Sequence, residues 1–311
     1  MDFDTLRIFV EVVRQQNITR ASALLNVAQP AVTRRIRALE STLGIPLLAR
    51  HPRGVQPTEA GAILFERAEM LLRSLDEIPQ ELLSRAAEPS GQVRFAFPPG
   101  LGSVFVFGMV TEYLMRYPRV QLILHEDFSR AVREALLAGR VDMGLMSCAI
   151  GHVDLQCTPL YEEPLWVIGR AAGWPFGKGS VLDLKKLVGH PLLISSFLRL
   201  TLEQAGLAQG LRFDVRLEAN AYMSVYEGAR RGIGFLVAPP STVAKDLKSG
   251  QLVGMAVRGL HVSRGLFWRN DRPLNQALLQ LAAAVQAEAA KLRAQNPKLF
   301  RPLLADTDTG S

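Results

Sequence analysis

Between residues 28 and 43 the apolar positions Val32, Ile36, Leu39 and Leu43 recur at steps of four, three and four. That is the period of a helix with one buried face. Gln29, Thr33, Arg34 and Arg37 fall largely away from the stripe. Pro30 sits in the first turn, where its missing N–H is no loss, and Gly44 suits a left-handed cap after the last apolar residue. Upstream, Leu6, Phe9, Val10 and Val13 predict a helix over 3–14. Asn17 or Thr19 can cap a short helix that buries Ala21, Leu24 and Leu25. Two short helices, a tight turn and a basic second helix make a helix-turn-helix.

The pattern then shortens. Residues 46–57 read as two brief strands around His51-Pro52-Arg53-Gly54, a wing with Arg50 and Arg53 near its tip. Thr58 caps a long helix. Along it Leu64, Ala68, Leu71, Leu75, Ile78 and Leu82 form a heptad seam that nothing in the preceding segment needs. The seam is read as a dimerising surface, with Leu64, Leu71, Leu75 and Ile78 as its contacts. Pro79 lies inside it and is expected to kink or end the helix near Ile78. Glu88-Pro89-Ser90-Gly91 reads as a hinge.

Beyond the hinge, strands alternate with helices. Strands are expected over 92–97, 120–126 and 141–146, with helices leading to Tyr117 and over 129–138. The alternation restarts after Pro159: strands over 165–168, 191–195, 213–218 and 235–238, helical stretches from Asp183, over 201–205 and over 221–231. A late strand follows over 266–268 and a long amphipathic helix over 274–292, and the chain after Pro297 is expected to be loose. This spacing means βαβ units and a mostly parallel sheet.

With 311 residues the chain is sized for two domains, and 48% hydrophobic residues supply their cores. The net charge of +7 is concentrated at the start: eight arginines against four carboxylates in the first 57 residues. That changes the reading of the 28–43 helix. Arg and Gln make bidentate hydrogen bonds to base edges, Thr packs on a thymine methyl, and Arg also neutralises phosphate. Arg50 and Arg53 suit the backbone or a narrow minor groove. The candidate DNA contacts are therefore Gln29, Pro30, Thr33, Arg34, Arg37, Arg50 and Arg53. No secretory leader or membrane span is apparent, so the expected compartment is the cytoplasm. Cys148 and Cys157 are too few for a disulfide framework; they read as two reduced thiols, with a redox pair as the alternative. Five scattered histidines offer no metal spacing, and Gly173 to Ser180 misses the phosphate-loop spacing by one residue. No catalytic residue, metal or cofactor is expected, which argues against an enzyme. A transport protein would leave the first ninety residues without a role.

An ordered set of residues resembles the LysR-type transcriptional regulators: Leu6, Phe9, Val10, Thr19, Ala21, Leu25, Gln29-Pro30-Ala31, Arg34, Ile36, Leu39-Glu40, Leu43-Gly44, Leu47-Leu48, Arg50, Gly54 and Thr58-Glu59-Ala60-Gly61. Where that family usually carries Ser-Arg, this chain has Thr33-Arg34-Arg35. The resemblance implies an α+β winged helix-turn-helix DNA-binding domain over 1–58 and a linker helix and hinge over 59–91. It also implies an α/β co-inducer domain over 92–295, two-lobed like type 2 periplasmic binding proteins, and a flexible tail over 296–311. Lobe one would comprise 92–162 and 267–295, and lobe two 163–266. Operator DNA, a small-molecule co-inducer, further copies of the chain as dimer and tetramer, and RNA polymerase are the implied partners. Residues 98–103 and 124–129 look closest to members that control nitrogen or aromatic-acid metabolism. The loop Pro98–Ser103 opens a helix after a strand, where free N–H groups favour anions, and Ser129 opens the next helix on the same sheet edge. The expected effector site, for a small organic anion, is Gly100, Gly102, Ser103 and Ser129, faced by Ser195, Phe197 and Arg199.

Overall fold

The computed structural model describes residues 1–51, 54–83 and 88–303, without the side chains of residues 50, 73, 74, 77, 79–83 and 103. Arg53 and the side chains of Arg50 and Ser103 therefore lie outside the described residues, as does the end of the expected tail. The chain divides into two compact units, Met1–Ala87 and Glu88–Ser311.

In the first unit, α1 (Phe3–Gln15) is capped by Asp2, whose carboxylate accepts the Thr5 N–H. Helix α2 (Ile18–Leu24) is capped by Asn17, and α3 spans Gln29–Leu43 with Gly44 left-handed at φ 68°. Strands β1 (Leu48–His51) and β2 (Gly54–Pro57) pair antiparallel as the wing. The core joins Phe9, Val12, Ala21, Val32, Ile36, Leu39, Leu47 and Val55. Two leucines depart from expectation. Leu24 is 61% exposed, because α2 turns Ala21 and Ser22 inward instead; Leu43, at the end of α3, is 44% exposed as Gly44 leads the chain away.

Helix α4 (Glu59–Leu83) runs unbroken through Pro79. A proline removes one amide donor, but its φ fits a helix, so the expected stop does not occur. The seam is also divided. Ala68 and Leu72 are buried against Leu6 and Val10 of α1, with Leu64 and Phe65 packed beside them. Ion pairs Arg7–Asp76 and Arg14–Glu69 flank that contact. Part of the stripe thus serves its own domain, whereas Ile63, Leu71 and Ile78 are exposed.

The second unit carries a nine-stranded sheet. Strand β3 (Gly91–Phe97) leads through a π-helical turn, Gly102–Val106, into α5 (Phe107–Arg116). Then come β4 (Val120–Glu126), α6 (Ser129–Leu137) and β5 (Met143–Met146). The next strands are β6 (Leu155–Arg170), β7 (Val181–Leu182) and β8 (Leu192–Ser195). They are followed by α7 (Ser196–Leu207), β9 (Val215–Ala219), α8 (Tyr222–Arg230) and β10 (Phe235–Ala238). Helix α9 (Ala244–Ser249), β11 (Leu252–Arg269) and α10 (Gln276–Gln295) complete it. The order is β4-β3-β5-β11-β6-β10-β8-β9, with β7 beside β11.

The sheet is parallel within each lobe, but β6 and β11 are long antiparallel strands that serve both. Pro159, expected as a break, lies within β6 opposite Gly265, at a register shift where no ladder donor is required of it. One core cluster holds Phe95, Phe105, Tyr113, Tyr161, Leu266 and Leu281. Another holds Leu165, Leu192, Ile194, Leu202, Val237 and Val262. The changeover falls between Tyr161 and Leu165 on β6 and between Val262 and Leu266 on β11. The expected loose tail is corrected as far as it is described. Phe300 is 3% exposed and meets Tyr161 edge-on, and Arg301 exchanges backbone hydrogen bonds with Glu162 at 2.8 and 2.9 Å.

Candidate DNA-reading surface and effector cleft

On α3 the side opposite Val32, Ile36 and Leu39 is polar: Gln29, Pro30, Arg34 and Arg37 are exposed and Thr33 is half-buried. Among the described residues Arg34 and Arg37 pair with no carboxylate, so their charge is free for an outside polyanion. The helix is held to the wing by Glu40, whose Oε1 accepts the N–H groups of Leu47 at 2.8 Å and Leu48 at 3.1 Å. The other side of the wing is pinned by the Val55 N–H donating to the Gln16 carbonyl at 2.9 Å. A Cβ on Gly54 would lie 2.2 Å from that carbonyl oxygen, so the approach requires glycine. Thr58 donates to the Pro46 carbonyl and accepts from the Gly61 N–H, closing the wing onto α4.

In the second unit an open mouth of about 1170 Å³ separates the two lobes. Gly100 and Gly102 line it, and Gly100 at φ 88° approaches Thr242 so closely that a Cβ would sit 2.8 Å from the Thr242 methyl. The mouth carries Glu126, Asp127, Glu134 and Asp246 against Arg130 and Lys245, an acidic balance. Behind it lies an inner cavity of about 30 Å³, lined by Ser195, Phe197, Phe128, Thr242 and Arg264 among others. Phe128 and Phe197 stack across the lobes with ring centroids 6.5 Å apart.

Two expected residues do not reach this space. Ser129 is fully buried, and its Oγ accepts the Ser147 N–H at 3.2 Å, tying α6 to the end of β5. Arg199 is paired with Glu203 at 2.6 Å and Glu218 at 3.5 Å, so it offers no counter-charge to the cleft. The cation that does line the inner cavity is Arg264, 4% exposed. Its Nε and Nη1 have no hydrogen-bond partner among the described residues, nor do the Tyr161 hydroxyl, Glu163 Oε2 and Ser241 Oγ. Glu163 accepts the Ser241 N–H through Oε1 at 3.0 Å, and burial pushes its carboxyl up to about 7. A signal for both charges was present in the chain. Glu163 shares the alternation phase of Leu165 and Val167, and Arg264 that of Val262 and Leu266. Ionisable residues at apolar strand positions are buried for a reason.

Family models match both units. Residues 3–62 match the bacterial regulatory helix-turn-helix protein of the lysR family, and residues 86–290 match the LysR substrate binding domain. The chain belongs to the LysR family. The transcriptional regulator BbuR of Bordetella bronchiseptica is 29% identical over 96% of this chain and 93% of its own length. The nitrogen assimilation regulatory protein nac of Escherichia coli is 27% identical over 78% and 79%. A full-length OxyR variant from Pseudomonas aeruginosa shares the fold with TM-score 0.71 at 20% identity, covering 92% of this chain and 98% of the OxyR chain. This LysR-type protein is thus a DNA-binding transcriptional regulator with a substrate-binding domain rather than an enzyme. Among its described residues no helix is long and apolar enough to cross a membrane.

Proposed function

We propose that this regulator reads a specific operator with Gln29, Pro30, Thr33, Arg34 and Arg37 of α3 and with Arg50 and Arg53 of the wing. Its response is set by a small organic anion held between the lobes of the second domain. The observation that carries the effector reading is Arg264: a buried guanidinium with two unpartnered nitrogens lining an interlobe cavity. A buried guanidinium with unsatisfied donors is costly, and an incoming carboxylate offsets that cost with charge-assisted hydrogen bonds. The inner cavity admits one water-sized group. The anion therefore inserts a single oxygen-bearing end beside Arg264 and Ser195, against Phe197. Its body occupies the mouth near Gly100 and Gly102, where the acidic rim favours polar or amino substituents.

The regulator works in the cytoplasm as a dimer through exposed residues of α4 and as a tetramer through the second domain, and acts on RNA polymerase at the promoter. The pathway is nitrogen or aromatic-acid metabolism; the likeness to nac supports the first.

Calorimetric titration with a panel of small carboxylates tests the effector reading. Arg264→Lys and Phe197→Ala should weaken the binding acid by about tenfold or more, the scale of one lost charged hydrogen bond. A ligand that controls transcription and binds both variants as it binds wild type would place the site elsewhere.

A further inference from the structure

The two cysteines of this chain, nine residues apart in sequence, meet in the first lobe. Cys148 opens the 3-10 turn Cys148–Ile150 after β5, and Cys157 lies on β6 opposite Phe267. Between them runs β11 at its register shift, Arg264/Gly265. A Cβ on Gly265 would stand 2.8 Å from the Cys157 sulfur and 2.9 Å from the Cys148 sulfur. Both sulfurs crowd one point that only glycine leaves empty. The two thiols are therefore close neighbours, and neither is shut away: Cys148 is half-buried and Cys157 exposed. Cys148 packs beside Val132, Leu136 and Phe267, but an exposed cysteine at 157 contributes little to a core, so packing does not account for its place against Cys148.

We propose that Cys148 and Cys157 are an oxidant-sensitive site that closes to a reversible intrachain disulfide on reaction with a hydroperoxide. Cys148 is the attacking sulfur. The neighbouring Cys157 thiol is the largest influence holding its thiol down to about 7, and Ser263 and the Arg264 guanidinium act in the same direction. The neighbouring Cys148, and after it burial, push the Cys157 thiol up, so it keeps its proton. The Cys148 thiolate attacks the peroxide oxygen, and the O–O bond breaks. The leaving alkoxide or hydroxide takes a proton, and Cys148 becomes a sulfenic acid. The Cys157 sulfur then attacks the Cys148 sulfur. The S–O bond breaks, and the hydroxyl departs with the Cys157 proton as water. Two thiols lose two electrons in all, and one hydroperoxide is reduced to an alcohol, or water, plus water. Oxidation also removes the thiolate charge from beside Arg264, the residue that precedes Gly265.

The test uses the full-length protein and hydrogen peroxide. Because the chain has two cysteines in all, free thiols should fall from two to none. The mass should drop by two hydrogens with no added oxygen, on a chain that runs as a single polypeptide without reductant, and dithiothreitol should restore both thiols. In Cys157→Ser, peroxide should leave Cys148 as a sulfenic acid that dimedone traps. At neutral pH, iodoacetamide should alkylate Cys148 about tenfold faster than Cys157, following thiolate fraction. Retention of both thiols, oxygen adducts without a disulfide, or disulfides formed only between chains would each overturn the proposal.

Discussion

Glu40 near the end of the recognition helix and Leu47 at the start of the wing are joined by a 2.8 Å hydrogen bond, the Glu40 Oε1 accepting the Leu47 N–H. The same oxygen accepts from Leu48. One carboxylate therefore sets where the wing begins relative to the helix that carries Arg34. Hydrogen bonds to a charged group contribute about 1.5–3 kcal/mol. Glu40→Ala should lower the stability of the DNA-binding domain by that amount in urea titrations and weaken operator binding. Glu40→Gln keeps an acceptor oxygen and should recover part of both.

Arg34 is exposed on α3 with no carboxylate against it among the described residues. Arg34→Ala should lose ~1–3 kcal/mol for the cognate operator and relax base preference at one position. Arg53→Ala should weaken cognate and random duplexes evenly and reduce the salt slope by about one. Fluorescence anisotropy at several salt concentrations separates the two outcomes. Unchanged selectivity in Arg34→Ala would remove it from base readout.

Neighbouring leucines on α4 should behave oppositely. Leu72 is 6% exposed and packs against α1, whereas Leu71 is 49% exposed and Ile78 48%. Leu72→Ala should destabilise the first domain by about 2–5 kcal/mol, the range for truncating a buried leucine. Leu71→Asp with Ile78→Asp should leave its stability nearly unchanged and give monomers in analytical ultracentrifugation. Dimers that persist in the double variant would exclude this face from assembly.

Glu163 makes stability pH-dependent with a definite sign. Its carboxyl rises from 4.5 to about 7 on folding, chiefly through burial. The folded state holds a proton that the unfolded chain releases. The contribution is therefore fully present below 4.5 and is lost as pH climbs toward about 7. Glu163→Gln stays neutral throughout. Between about pH 4 and about pH 8 the stability of wild type relative to the variant should fall by on the order of 3 kcal/mol. Parallel pH profiles for the two proteins would show that Glu163 does not change protonation on folding.

Local periodicity and punctuation already determined the order and type of the elements in the winged helix-turn-helix. Val32, Ile36 and Leu39 mark the buried face, Asn17 and Gly44 mark helix ends, and Gly54 with Thr58 marks the wing. Each signal lies within a few residues of what it specifies, because caps, turns and helix faces are short-range physics. The alternation of strands and helices likewise sufficed for the α/β second domain. Long-range pairing decided the rest. Pro159 looked like a break until Gly265, more than a hundred residues later, supplied a register shift that tolerates it. Leu64 and Ala68 looked like a dimer seam until Leu6 and Val10 came to cover them. Ser129 and Arg199 carried suitable chemistry, but the Ser147 N–H and the carboxylates of Glu203 and Glu218 occupy it first. The phase of Arg264 hinted at burial in the chain itself. That it lines the interlobe cavity with two guanidinium nitrogens unpaired depended on β6 and β11 running side by side there, because a polar group's availability is set by every neighbour the fold brings to it.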